Sequence, residues 1–161
     1  MREIYLIRHG IAVDRSLDMA DGERPLTATG QRRTQRVGQR LVELGIRCDR
    51  LLSSPLVRAR QTADLLVEAH LAETMEICPA LQPGGDLRQG LAQATRQDWQ
   101  RLALVGHEPD LGLWAETLVW GSTQDKLVVK KAGVIGLLCP PGGDLIGRCQ
   151  LFWLAPPRLL L

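Results

Sequence analysis

Residues 3–7, Glu3-Ile4-Tyr5-Leu6-Ile7, run without a break into Arg8-His9-Gly10. The first five form a short, branched, mostly apolar run with the length of a buried strand. The next three place a guanidinium, an imidazole and a residue without Cβ where that strand ends. In open α/β sheets, ligands gather outside the carboxyl ends of the strands. A second apolar run, residues 101–105, ends on Gly106-His107-Glu108-Pro109. A third, residues 50–52, ends on Ser53-Ser54-Pro55, with Arg58 one helical turn further on.

The stretches between these runs read as helices and loops. Residues 11–26 show no clean period and carry Asp14, Asp18, Asp21, Gly22 and Pro25, which predicts a loop. Thr27 reads as an N-cap and residues 28–44 as a helix closed by Gly45, with Val37, Leu41 and Leu44 inward. Arg32, Arg33, Arg36 and Arg40 fall on its other side and read as a solvated face. Ser54-Pro55 is an N-cap followed by proline at the first helical position. It predicts a helix to about residue 69 with Ala59, Ala63, Leu66 and Val67 inward. Residues 74–78 read as a strand and 79–85 as a loop. Asp86 reads as the cap of a helix with the stripe Leu87, Leu91, Ala94. Pro109 begins a helix carrying Leu111, Trp114 and Leu118. Residues 127–129, 133–138 and 147–153 read as strands, the last two joined by a turn at 140–144. Strands alternating with helices predict an α/β fold, a three-layer α/β/α sandwich with a mostly parallel sheet.

Length and composition bound the rest. The chain has 161 residues, within the range of about 100–200 for one domain. No repeat or linker interrupts it, so residues 1–161 read as a single domain. Apolar residues make up 45% and charged residues 24%, which excludes disordered and collagen-like classes. The longest apolar stretch, residues 132–139, is far short of the ~18 that a membrane span requires. Arg8 and His9 interrupt the N-terminal apolar run, so no secretory signal is expected. The net charge is +2 and the pI is near 8.5, without the basic clustering of a nucleic-acid binder. A cytoplasmic monomer is expected, with no nucleic-acid or membrane partner. Cys48, Cys78, Cys139 and Cys149 lack metal-ligand spacing and read as buried, reduced thiols. The cations are nearly all arginine, with lysine only at 126, 130 and 131.

Three strand ends thus deliver Arg8, His9, Arg58 and His107 toward one place. Two of those ends lead into helix N-termini, whose dipoles and free N–H groups favour anions. Arginine forks match the oxygens of a phosphoryl group, which leaves one imidazole as nucleophile. His70, near a helix end, reads as structural. The donors are cationic and not a carboxylate cluster, so neither metal nor cofactor is expected.

Leu6-Ile7-Arg8-His9-Gly10 resembles the signature of the histidine phosphatase superfamily, whose older members are the cofactor-dependent phosphoglycerate mutases. Arg24-Pro25-Leu26-Thr27 followed by Gly30 resembles the segment that opens that family's first helix. Residues 53–63, Ser-Ser-Pro-Leu-Val-Arg-Ala-Arg-Gln-Thr-Ala, resemble its second motif. Val105-Gly106-His107-Glu108-Pro109 resembles its second histidine motif. The short length, the Gly-His-Glu-Pro form and the ending Trp153-Leu154-Ala155-Pro156 are most similar to the SixA branch, the phosphohistidine phosphatases. The resemblance implies a phosphoglycerate-mutase-like fold. It implies His9 as the nucleophile that becomes phosphohistidine, with Arg8, Arg58 and His107 clamping the phosphoryl oxygens. Gly10 and Arg24 are the expected substrate-binding neighbours, Arg24 either widening the anion funnel or pinning its loop.

The sequence also departs from the mutase-like members. Gly10 is followed by apolar Ile11-Ala12-Val13 where they carry polar residues. The helical insertion that supplies a leaving-group acid is missing, and Asp86 and Glu108 are the nearest candidates. The resemblance therefore implies a phosphatase acting on phosphohistidine in a protein, such as a histidine-containing phosphotransfer domain, and releasing inorganic phosphate. Two alternatives stay open: a phosphomonoesterase for a small phosphate ester, and an inactive phosphate-binding or docking module.

Overall fold

The computed structural model describes residues 1–161. In chain order the elements are β1 (Arg2–Arg8), α1 (Ala28–Glu43), β2 (Arg50–Ser53), α2 (Val57–Glu68), β3 (Glu76–Ile77), α3 (Leu87–Ala94), β4 (Arg101–Gly106), α4 (Asp110–Trp120), β5 (Val134–Cys139) and β6 (Gln150–Ala155). One six-stranded sheet has the order β3-β2-β4-β1-β5-β6. The first four strands in that order are mutually parallel, and β5 runs antiparallel to both β1 and β6.

Period-two alternation sends each central strand's side chains to two cores. Ile4 and Leu6, with Leu52, Leu102, Leu104 and Ile135, pack under Ala94 of α3 and Leu111, Trp114 and Leu118 of α4. Tyr5 and Ile7, with Leu51, Ala103, Val105 and Val134, pack under Val37 and Leu41 of α1 and Ala59, Ala63 and Leu66 of α2. Two helices thus cover each face, giving three layers. Burial on both faces is why β1 and β4 read as continuous apolar runs. All four cysteines are buried and free. No helix is long and apolar enough to cross a membrane.

Local signals place most boundaries. Thr27 caps α1 by accepting from Gly30 N at 2.9 Å, and Asp86 caps α3 by accepting from Gln89 N at 3.0 Å. Other expectations need correction. Helix α2 starts at Val57, not at Pro55, and Ser54 is not its cap. Leu44 is half exposed and Val67 only half buried. The expected strand at 74–78 shrinks to Glu76–Ile77, and the last strand runs Gln150–Ala155, not 147–153. Residues 127–129 form no strand. The carboxylate of Glu116, buried in α4, instead accepts the backbone N–H groups of Gln124, Asp125, Lys126 and Leu127. These N–H groups are therefore not available to a neighbouring strand.

Helix α1 approaches the loop after β1 closely enough that glycine is required at the contact. A Cβ on Gly30 would lie 2.0 Å from the carbonyl oxygen of Ile11. In a helix, Gly→Ala ordinarily stabilises by up to about 1 kcal/mol, so the sign here is diagnostic. Gly30→Ala should destabilise by about 1–3 kcal/mol through overpacking against backbone. The denaturant midpoint should fall at unchanged slope.

Candidate active site

The register of the parallel strands assembles the site. Arg8 lies opposite Gly106 in the β1–β4 ladder, and His9 N donates to Gly106 O at 3.1 Å. The next residues out, His9 and His107, are therefore neighbours, with ring centroids 5.1 Å apart. On the other side of β4, Ser53 pairs with Val105, and Ser54 N donates to Val105 O at 3.0 Å. That brings the Ser54 hydroxyl to 2.8 Å from His107 Nε2. A cavity of about 560 Å³ opens over these ends. Arg8, His9, Arg24, Arg58 and His107 line it, as the sequence predicts, together with Asp21.

Hydrogen bonds fix both imidazoles in the Nδ1–H tautomer but leave a different nitrogen free on each. His9 Nδ1 lies 2.7 Å from the Gly10 carbonyl oxygen. A carbonyl only accepts, so Nδ1 carries the hydrogen and Nε2 keeps its lone pair. The Ser54 hydroxyl is fully buried and already accepts from Leu56 N at 3.2 Å. His107 Nε2 is the acceptor in reach of its hydrogen. His107 then carries its own hydrogen on Nδ1, which no protein group accepts. Burial, reinforced by His107, Arg58 and Arg8, lowers His9 to about 3 against the opposing effect of the Gly10 carbonyl. Burial and then Arg58 lower His107 to about 4. Both rings are neutral at ordinary pH, one offering a lone pair and the other a donor.

The cations are held by loops that sequence reading did not resolve. Arg58 is 3% exposed and donates to the carbonyl and carboxylate of Asp21 at 2.8 and 3.2 Å. Asp21 also receives Arg24 at 3.0 Å and Arg15 at 3.1 Å. Against the effect of burial, Arg58, Arg24 and Arg15 hold its carboxyl down to about 2. Arg24 lines the cavity and also pins its loop, donating to Val13 O at 2.7 Å. Arg8 donates to Val129 O at 3.2 Å. Val129 lies in the segment that Glu116 holds, and Glu108, which accepts from Gly112 N at 3.0 Å, ties the same wall to α4. Burial raises Glu108, and the N–H groups of Val129 and Gly112 oppose that rise. No group of three or more His, Cys, Asp and Glu side chains is placed to hold a metal ion.

Two sequence-based assignments change. Gly10 is buried, and its N–H is taken by Thr62 Oγ1 at 3.0 Å. A Cβ there would lie 2.3 Å from Thr34 Oγ1. Gly10 is not among the residues that line the cavity; its carbonyl sets the His9 tautomer, and its missing Cβ permits the approach of α1. Of the two candidate acids, Glu108 reaches the cavity, whereas Asp86 is spent on capping α3 and lies outside it. Asp21, Ser54 and Glu116 went unread. Ser54 carried a signal, but it pointed to helix capping, and nothing in their spacing marks Asp21 or Glu116.

A family model of the histidine phosphatase superfamily (branch 1) matches residues 4–109. The chain is 48% identical over 167 residues to an uncharacterised protein of Picosynechococcus sp., covering 99% of both. It is 42% identical over 67 residues to the mitochondrial serine/threonine-protein phosphatase Pgam5 of Drosophila ananassae. That match takes in 42% of this chain, which spans 22% of the relative's length. Among solved structures, the protein histidine phosphatase SixA complexed with tungstate superposes with a TM-score of 0.83. It covers 99% of each chain at 24% identity.

Two outcomes test this geometry. Unfolded imidazoles protonate below about 6.5, whereas folded His107 and His9 resist to about 4 and about 3. Between those values the unfolded chain binds more protons, so stability rises with pH and is lost as pH falls from about 6.5 toward 4. Urea midpoints across that window should show the slope, and His9→Gln with His107→Gln should flatten it. The second outcome concerns α2. Arg58 is buried at the site, while Arg60 is exposed, about 200° around the same helix. Arg58→Ala should lower kcat/KM by about 10²–10³, as loss of a transition-state donor does. Arg60→Ala should leave it within about twofold.

Proposed function

The chain belongs to the histidine phosphatase superfamily (branch 1), and on that premise we propose that it is a phosphohistidine phosphatase working through a phosphorylated His9. In this reading residues 1–161 act as one catalytic domain without metal or cofactor. The substrate is phosphohistidine on a protein, such as a phosphotransfer domain of two-component or phosphorelay signalling in the cytoplasm. The observation that carries the reading is the meeting, in one cavity, of a lone-pair nitrogen on His9, the guanidiniums of Arg8 and Arg58 and the untaken Nδ1–H of His107.

The chemistry follows from those groups. His9 Nε2 attacks phosphorus in line with the departing imidazole nitrogen. A P–N bond forms to His9 as the substrate's P–N bond breaks, and the substrate ring, protonated on its distal nitrogen, leaves as neutral imidazole. The Gly10 carbonyl holds the Nδ1–H of the His9 cation that results. Arg8, Arg58 and His107 Nδ1–H stabilise charge on the equatorial oxygens, which is most of what phosphoryl transfer requires. Water then attacks phospho-His9, its P–N bond breaks and inorganic phosphate departs.

The leaving group supports this substrate class over an alkyl ester. Expelling an alkoxide needs an acid, worth about 10²–10⁴ in rate. The chain has no insertion to supply one, and Glu108 already accepts a backbone N–H. A phosphomonoesterase for a small phosphate ester remains the second reading, and because the Pgam5 relative is a serine/threonine-protein phosphatase, the test also includes a protein phosphoester. The test compares kcat/KM on a histidine-phosphorylated protein with that on a phosphoserine peptide, 3-phosphoglycerate and a sugar phosphate. The phosphohistidine protein should lead by at least about tenfold, with an acid-labile adduct on His9 that is absent in His9→Ala. An ester turned over as well or better, or label on Ser53 or Ser54, overturns the proposal.

A further inference from the structure

Beside the active-site cavity lies a second depression of about 470 Å³. Its floor includes Val128, Leu154 and Pro157, and its rim carries Arg33 of α1, Lys130 and Arg158. Val128 is 55% exposed and Leu154 42%, so the floor is open to solvent. No aspartate or glutamate side chain lines it, and Leu161 completes its wall. Leu154 lies on β6, which pairs only with β5 and forms one edge of the sheet. Phe152, on the same strand, is 45% exposed. An uncharged, apolar sheet edge invites a partner unless something covers it.

The groove and the active site share a wall. Lys130 lines the groove, and the next residue, Lys131, lines the active-site cavity. Ala132 N then donates to the carbonyls of Arg8 and His9, each at 3.1 Å. A protein segment seated in the groove would therefore lie one residue along the chain from the wall of the active-site cavity.

We propose that this groove docks the flank of the phosphorylated protein substrate, a segment that pairs apolar side chains with aspartate or glutamate. The inference rests on the protein-phosphohistidine reading given above. The three cations select the partner's charge, and the apolar floor supplies the area that a small phosphate ester would not use. A second copy of this chain is a poor occupant. In a two-fold contact Lys130 and Arg158 would face the same cations on the other copy.

Leu154→Asp and Arg158→Glu test the proposal in the full chain, since neither residue belongs to the catalytic machinery. Kinetics are measured on a histidine-phosphorylated phosphotransfer domain and on free phosphohistidine. The second substrate has the same P–N bond and no protein flank. Each variant should raise KM for the protein by about tenfold or more, at nearly constant kcat, as loss of an interface anchor does. On free phosphohistidine, kcat and KM should stay within about twofold. Rising salt should raise KM for the protein more steeply in the wild type than in Arg158→Glu. Unchanged protein kinetics, or equal losses on both substrates, would overturn the docking proposal alone. A wild-type dimer that Leu154→Asp dissociates would assign the groove to a second copy and overturn it as well. If the wild type hydrolyses phosphate esters but neither phosphohistidine substrate, the functional reading fails and the docking proposal falls with it.

Discussion

Arg8 faces Gly106 across the parallel ladder of β1 and β4, and the site's chemistry depends on that pairing. Side chains alternate along a strand, so a slip of one residue would turn His9 to the other face. A slip of two would keep the face but shift His9 by about 6.6 Å along the strand relative to His107. The register is protected because β1 and β4 are buried on both faces, and each slip would misplace Ile4, Leu6, Leu102 and Leu104 as well. Packing that owes nothing to catalysis therefore holds two imidazoles 5.1 Å apart.

Burial then determines what those imidazoles can do. An exposed histidine beside arginines would still be partly protonated near neutral pH. Here desolvation and the nearby guanidiniums act in the same direction, and His9 and His107 stay neutral. The arginines cannot respond in kind, because a guanidinium keeps its proton. Their charge is answered by a loop. Asp21 gathers Arg15, Arg24 and Arg58, and the carbonyls of Val13 and Val129 take further N–H groups. Removing one partner of such a network would leave a buried cation uncompensated, which is why the loop of residues 11–26 is ordered around it.

The sequence made the strand-end groups legible and left their supports hidden. Glu3 to Ile7 and residues 101–105 read correctly because two-sided burial leaves an unbroken apolar run. Thr27 and Asp86 read correctly as caps because capping is local. That Arg8, His9, Arg58 and His107 share one cavity is legible because strand ends and motif spacing mark them. Ser54 was misread for a physical reason: serine before proline looks like a helix cap, yet its hydroxyl is used to fix the tautomer of His107. Residues 127–129 look like a strand by composition. Their path is set instead by Glu116 on α4 and by Glu108 just before that helix, whose carboxylates take the backbone N–H groups of residues 124–127 and of Val129. Side-chain-to-backbone bonds between distant segments leave no period to detect.

These two kinds of support divide the labour within the site. His9 and His107 stand on strand ends whose register the core enforces, so they are hard to move without unfolding the sheet. Other walls of the cavity are loop segments, within residues 11–26 and 122–132, held by carboxylates and guanidiniums at a few points. Substitutions there can reshape what approaches the nucleophile while His9 and its neighbours stay in place. On this division, and on the phosphohistidine reading proposed above, a change of leaving group to an alcohol would need a new acid delivered from a loop. No rearrangement of Arg8, His9, Arg58 and His107 would supply it.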